Sequence, residues 1–363
     1  MREVCIDGET LTIEDVVRVA RENAKVGIPE EVKKRVRRSR QVLEKLVREN
    51  RVIYGVNTGF GVLSSVRISR EEIGQLQSDL IRSHSSGVGE PLSTETVRAL
   101  MLLCVNTLAK GYFGIRLEPL ETIVEMLNKR GHPVIPGKGS VGASGDLAPL
   151  SHMILVVMGE GKAECQGKVM SGREAMEKAG IKPVRLEFKE GIALNNGTQL
   201  MTAIAALTVY DAENLIKTAE VATALTLEAL LGVSDAFDER IHMVRSHEGQ
   251  AITARNIREL VVGSRLVQTG KEAMEKRARE NYQCSVEYRS MHQGLSYEEY
   301  RGSHKSRNLV ICLQPDRVGK LSLLFFRLLL ISKLLHILLF KPSGYLLDTS
   351  QKPVFWVANF PRL

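Results

Sequence analysis

Paired cysteines are missing from this sequence. Its five cysteines (Cys5, Cys104, Cys165, Cys284 and Cys312) stand singly, with no Cys-x-x-Cys among them. That argues against a disulfide framework and against a zinc site, and makes a reducing, cytoplasmic setting the expectation. An apolar leader is missing too: the start, MREVCIDGETLTIEDVV, has acidic residues where a signal peptide needs a hydrophobic run. Nothing repeats at a fixed period. The net charge is +8, yet no basic stripe interleaved with aromatics runs through residues 1–278, so nucleic acid is not an expected partner. What is present is enough apolar material, 44% of 363 residues against 25% charged, to bury a large core. Disordered tails, collagens and disulfide miniproteins are thereby excluded.

The charge is unevenly placed. Residues 279–363 hold 12 Lys and Arg against 6 Asp and Glu, so +6 of the +8 sits there. Alanine falls from 23 in residues 1–278 to 1 in 279–363, while aromatics rise from 7 to 11. Such a break exceeds an ordinary domain boundary and marks 279–363 as an atypical tail, read either through a shifted reading frame near residue 278 or as a divergent C-terminal domain. Within it, LSLLFFRLLLISKLLHILLF (321–340) is about as long as a membrane span, at about 20 residues. Arg327, Lys333 and His336 lie inside it and argue against a membrane as partner.

The first 278 residues read as mainly helical. LTIEDVVRVARENA is an amphipathic helix entered through Thr10 or Thr12, and EEVKKRVRRSRQVLEKLVREN is a second. YGVNTGFG (54–61) and PGKGSVGASGD (136–146) are glycine-punctuated loops between helices, and Gly167 marks a hairpin in AECQGKVMSG. From Thr198 to Leu231 the chain is rich in Ala and Leu without a proline, a helix too long for a surface and expected inside a bundle spanning subunits.

The segment GSVGASGDLAPL (139–150) is the most informative. Three glycines around Ala143 and Ser144 suit a phosphate cradle before a helix, or simply a tight turn. No Gly-Lys-Ser/Thr follows and no dinucleotide-binding spacing fits, so the phosphate reading is weak. A third reading is chemical. If the loop is held strained, the amide nitrogen of Gly145 can attack the Ala143 carbonyl, since no Cβ obstructs its approach. Loss of water from the ring and from Ser144 would leave an exocyclic methylidene electrophile made from the backbone.

This segment resembles the signature of the aromatic amino-acid ammonia-lyases, whose Ala-Ser-Gly becomes the prosthetic group 4-methylidene-imidazol-5-one (MIO). The similarity extends over about residues 1–277, through YGVNTGFG (54–61), RSHSSGVGEPL (82–92), GKGSVGASGDLAPLSHM (137–153) and ALNNGTQLMTA (193–203), in the family's order and spacing. It implies a mainly α fold: a long-helix bundle of the ammonia-lyase type with a smaller N-terminal α+β part carrying the MIO loop. The corresponding division is an N-terminal domain over 1–197, the start of the central bundle over 198–278, and the atypical tail.

The resemblance also implies roles. Ala143, Ser144 and Gly145 would form MIO, with no metal, and Asp146 would assist the dehydration. Tyr54 would remove the substrate β-proton. Asn196, before Gly197-Thr198-Gln199, would stabilise charge at the MIO carbonyl, although an Asn-Asn-Gly can equally cap the following helix. Asn195 stands where the family usually has an apolar residue. His84 matches the position at which histidine-specific members carry His, and an imidazole there can bind a substrate imidazole. The implied reaction is elimination of ammonia from L-histidine to give trans-urocanate, in a cytoplasmic homotetramer. A tyrosine or phenylalanine lyase, an aminomutase, or an inactive association protein are the alternatives. His247, in VRSHEGQ, reads as structural.

The chain departs from the family after about residue 277. There the family carries a Tyr-Ser-x-Arg segment that helps hold the substrate carboxylate, and further on a Glu. Tyr282, Ser285 and Arg289 echo the composition at the wrong spacing.

Overall fold

The computed structural model describes residues 3–61, 64–244 and 247–272. The tail over 279–363, with its apolar run and with Tyr282, Ser285 and Arg289, lies outside them. So does residue 278, near which a shifted frame would begin.

The first turns follow local chemistry. Strand β1 (Val4–Cys5) leads to helix α1 (Ile13–Arg21), whose N-cap is Thr12. Its hydroxyl accepts from the Asp15 amide at 3.2 Å while the Asp15 carboxylate accepts from the Thr12 amide at 3.3 Å, a reciprocal capping box. β2 (Val26–Gly27) pairs in parallel with β1. Helix α2 (Glu30–Arg48) starts after Pro29, which cannot donate and so suits a helix start. Helix α3 (Arg70–His84) is capped by Ser69. β3 (Val88–Pro91) and the Ser93 cap then introduce α4 (Thr94–Ala109).

Helix α4 is the axis of the molecule. Every residue from Val97 to Asn106 is buried, so it meets neighbours on all sides. It packs on α1, on α5 (Leu117–Lys129) and on the long helix described below. β4 (Gly131–Pro133), β5 (Pro136–Lys138) and α6 (Leu147–Val157) follow, then the hairpin β6 (Lys162–Cys165) and β7 (Lys168–Ser171). The hairpin turns through Gln166 and Gly167, both at positive φ (53° and 77°), the backbone that a tight two-residue turn demands. β4, β6 and β7 form an antiparallel sheet, and β3 pairs antiparallel with β5. Helices α7 (Gly172–Lys178) and α8 (Glu190–Asn195) complete this part.

Helix α9 (Gln199–Ala229) has 31 residues and is about 46 Å long at about 1.5 Å per residue. Its first half buries Leu200, Ala203, Ala206 and Leu207 in the main core. Its second half buries Leu227 in a small separate cluster with Phe237 of a 3-10 turn (Ser234–Phe237) and Ala254 and Ile257 of α11 (Glu248–Leu260); the short helix α10 (Glu239–Met243) lies between those two elements in sequence. Between them, residues 208–219 include none that is buried. The expected long helix is present, but the described residues cover only one of its sides. Leu215, Val221 and Leu225 face outward, 47–62% exposed.

One polar group sits deep in the core. Arg98 is buried and has no carboxylate partner among the described residues. Its guanidinium donates to the Val19 carbonyl (2.9 Å), the Leu127 carbonyl (3.1 Å) and the His132 ring Nε2 (2.9 Å). His132 can accept there only while that nitrogen is unprotonated. Burial, reinforced by the charges of Arg98 and Arg130, pushes its pKa down to about 4. A base whose pKa is lowered on folding costs stability as pH falls from its ordinary 6.5 toward 4. His132→Phe should flatten that acid limb of the urea-unfolding midpoint. At pH 7 it should destabilise by about 1–3 kcal/mol, since a buried guanidinium N–H loses its acceptor. Unchanged stability at pH 7 would show that Arg98 does not depend on His132.

Candidate active site

The loop 139–146 runs from β5 to α6 and is shaped by glycine. Gly145 has φ +92°, a conformation closed to residues with a side chain, and a Cβ there would lie 2.8 Å from the Gly197 carbonyl carbon. The next residue ties the same two segments together, the Asp146 amide donating to the Gly197 carbonyl at 2.6 Å. Ala143 and Ser144 project into solvent, and the Gly145 amide makes no hydrogen bond among the described residues.

Asp146 is fully buried and occupies the N-cap position of α6, yet its side chain does not cap that helix. It crosses to the start of α9. One carboxylate oxygen accepts from the Met201 amide at 3.0 Å, the Leu200 amide adds a bond, and the other oxygen accepts from the Ser140 hydroxyl at 2.8 Å. Leu200 and Met201 are the second and third residues of α9, whose own N-cap residue, Thr198, provides no side-chain bond. The carboxylate therefore caps α9 from 55 residues away in sequence. A helix N-terminus carries about half a positive charge, which suits an anion placed there. Burial nevertheless raises the Asp146 pKa, with the donated hydrogen bonds acting in the opposite sense.

Asn196, expected as a donor in the site and able to cap the following helix as well, does not cap α9. Asn196 ends α8 in an extended conformation (φ −104°, ψ 97°) with its side chain exposed, and the cap of α9 comes from Asp146. Its neighbour Asn195 is buried instead, donating from Nδ2 to the Ser151 hydroxyl on α6 at 3.4 Å.

Helix α8 is a firm platform for these residues. Glu190 is fully buried and receives the Arg116 amide (3.1 Å), the Arg116 guanidinium (2.8 and 2.9 Å) and the Glu187 amide (2.8 Å). Arg40 stacks 3.7 Å over the Phe188 ring and bonds Glu187 at 2.6 Å. On its other side, the Gly191 amide donates to Gln77 of α3 at 2.9 Å.

Tyr54 lies on the turn after α2. Asn57 organises that turn, accepting from the Ile53 amide (2.8 Å) and donating to the Arg51 carbonyl (2.7 Å). The Tyr54 hydroxyl oxygen accepts from the Gly61 amide at 3.4 Å, and its ring meets Phe60 edge-on, with centroids 6.3 Å apart. The ring remains half exposed, but Gly55 beside it is buried against Ile192 of α8. His84 is the last residue of α3. Its Nδ1 lies 2.9 Å from the Leu80 carbonyl and 3.0 Å from the Ser83 hydroxyl; in the tautomer with the proton on Nδ1, Nε2 is an acceptor. His247 is at the N-cap position of α11 without a capping side-chain bond.

Three close approaches of glycine thus gather the segments: Gly55 on Ile192, Gly145 on Gly197, and Gly139 on Gly87, three residues after His84. Three further residues matter to which no motif assigns a role: Ser140, which bonds Asp146 within the loop, and Ser151 and His152, whose contacts are made across the chain. Their only sequence signal is adjacency to the Ala-Ser-Gly motif. Cavities of about 300 and 340 Å³ lie beside α2 and α3, and neither is lined by the expected site residues. Among the described residues no group of His, Cys, Asp or Glu could hold a metal ion, and no helix is long and apolar enough to cross a membrane.

The cap predicts a clear contrast between two variants. Asp146→Ala leaves two amides of α9 without an acceptor and should cost about 1–3 kcal/mol in chemical denaturation at pH 7. Asp146→Asn keeps an oxygen for those amides and should retain most of that stability. Wild-type stability in Asp146→Ala would refute the cap.

Comparison with known proteins gives these motifs a family. The family model described as aromatic amino acid lyase matches residues 11–295. The histidine ammonia-lyase of Alkaliphilus oremlandii is 58% identical over 264 residues, which cover 73% of this chain and 52% of that protein. That of Alkaliphilus metalliredigens is 57% identical over 267 residues, 74% of this chain and 53% of the relative. The chain thus spans about half the length of the curated relatives it matches. Among solved structures, the tyrosine aminomutase of Streptomyces globisporus aligns with a TM-score of 0.77 at 35% identity, covering 85% of this chain and 61% of that one. The histidine ammonia-lyase of Trypanosoma cruzi aligns at 0.75 and 33%, covering 86% and 57%. With its described helices, its glycine-shaped Ala-Ser-Gly loop and this match over most of its length, the chain belongs to the aromatic amino acid lyase family.

Proposed function

We propose that this chain carries the catalytic loop of a lyase that eliminates ammonia from L-histidine to give trans-urocanate. The observation that carries the reading is the Ala143–Gly145 loop, which offers Gly145 at positive φ, clasped to Gly197, in a chain 58% identical to a histidine ammonia-lyase. The loop fits the MIO group: the Gly145 nitrogen has no hydrogen-bond partner among the described residues, and Ser144 is exposed. Closure would join that nitrogen to the Ala143 carbonyl carbon and release two waters, one from the ring and one from Ser144. Once formed, the group would supply an electrophilic carbon that makes the substrate amine a better leaving group.

The remaining work falls to side chains. Tyr54, its oxygen steadied by the Gly61 amide, is the base for the β-proton. His84, in the tautomer with the proton on Nδ1, offers Nε2 as acceptor to the N–H of a substrate imidazole. Asn196, one residue before the clasp, is the donor toward negative charge developing at the loop. Asp146 assists the dehydration from its buried position beside Ser140. Ala143, Ser144 and Asn196 are exposed, and α9 presents Leu215, Val221 and Leu225 outward. Both features support sites and helices completed by further subunits, as in a homotetramer.

The likeness to tyrosine aminomutase supports a second reading, in which the amino group is returned to the neighbouring carbon. The two part on product. Purified protein given L-histidine should release ammonia and accumulate the conjugated acrylate, with no turnover in Ser144→Ala. Formation of a β-amino acid from tyrosine instead would replace the lyase reading with the mutase one.

A further inference from the structure

We propose that His152 is a positioning residue for substrate recognition: by accepting the Gly87 amide, it fixes the segment leaving His84 against the Ala143–Gly145 loop. The inference rests on the function proposed above and assigns a role to a side chain that reaches neither the loop nor the substrate.

The two segments meet at glycines. Gly87 lies between His84, which ends α3, and Val88, which begins β3. A Cβ on Gly139 would stand 3.0 Å from the Gly87 Cα and 3.1 Å from the Ala148 Cβ, so here the start of the catalytic loop and the segment after His84 touch backbone to backbone. A Cβ on Gly87 would in turn stand 3.1 Å from the His152 Nε2 and 3.2 Å from the Pro136 Cβ. Gly87 is thus held between β5, the loop and α6, the helix that the loop feeds.

One hydrogen bond secures it: the Gly87 amide donates to His152 Nε2 at 3.1 Å, across 65 residues of sequence. The β3–β5 pairing beyond it is irregular between Val88 and Pro91, so the ladder alone does not set the register of this segment. An imidazole can accept an N–H only through an unprotonated nitrogen. Partial burial lowers the His152 pKa, which keeps that acceptor available. A shift of Gly87 would reach the last turn of α3 through Ser86 and Ser85, where the Ser85 amide and hydroxyl donate to the Ile81 carbonyl (3.1 and 2.8 Å) and His84 lies against Leu80.

The test uses the purified protein, its His152→Ala variant and its His152→Gln variant, whose side-chain oxygen can accept the same amide. Amide hydrogen exchange of the 85–91 peptide should rise at least roughly fivefold in His152→Ala and return toward wild type in His152→Gln. With L-histidine as substrate, His152→Ala should raise KM by a similar factor with little change in kcat, and His152→Gln should recover it. Unchanged exchange in His152→Ala overturns the proposal, as does a His152→Gln variant as impaired as His152→Ala in both measurements. A kcat loss in His152→Ala with unchanged KM also overturns it. Exchange needs no turnover, so an inactive wild-type protein would count against the lyase reading while exchange still decides the role of His152.

Discussion

One buried carboxylate ties the glycine loop to the start of the long helix α9. Asp146 ends the glycine loop, starts α6, and supplies the acceptors that the first turn of α9 lacks. Its amide holds the Gly197 carbonyl, so backbone and side chain of one residue clasp both sides of the turn between α8 and α9. The carboxylate is tolerable in that buried position because its oxygens accept from donors on the loop and on α9. Glycine adopts the positive φ at 145 without a side-chain clash, and the clasp fixes it there.

The rest of the fold keeps the clasp in place. Helix α8 approaches it from a buried ion network around Glu190, with Arg116 and Arg40 closing over it. A buried charge of that kind is tolerable only when every acceptor is used, as it is here. Helix α4 carries α1, α5 and α9 on its sides, and Arg98 ties α1 and α5 to it through main-chain carbonyls. The site is therefore assembled from loops anchored on rigid helices, with glycines wherever two backbones must come within contact distance.

Much of this was legible from local pattern. Thr12 with Asp15, the turn at Gly167 and the proline-free run after Thr198 each carry their signal within a few residues, and each formed the expected element. What stayed hidden is pairing over distance. Nothing near Asp146 in sequence says that it caps a helix 55 residues on, so the cap was sought in Asn196. Nothing near His152 points to Gly87. Likewise the Asn195–Asn196 pair divides its work only in three dimensions, one amide buried on Ser151 and the other exposed beside the loop. The long helix was readable, but the extent of its cover was not, because burial depends on what packs against a helix and not on its own pattern.

On the proposed function, the clasp between Asp146 and Gly197 holds Ala143–Gly145 in a shape that would close on itself. Intact-mass and peptide-mass spectrometry of the purified protein tests this most directly. The account predicts a peptide spanning residues 143–145 lighter than its sequence by two water molecules, with the loss diminished in Asp146→Ala and absent in Gly145→Ala. A wild-type peptide at its full sequence mass would contradict it.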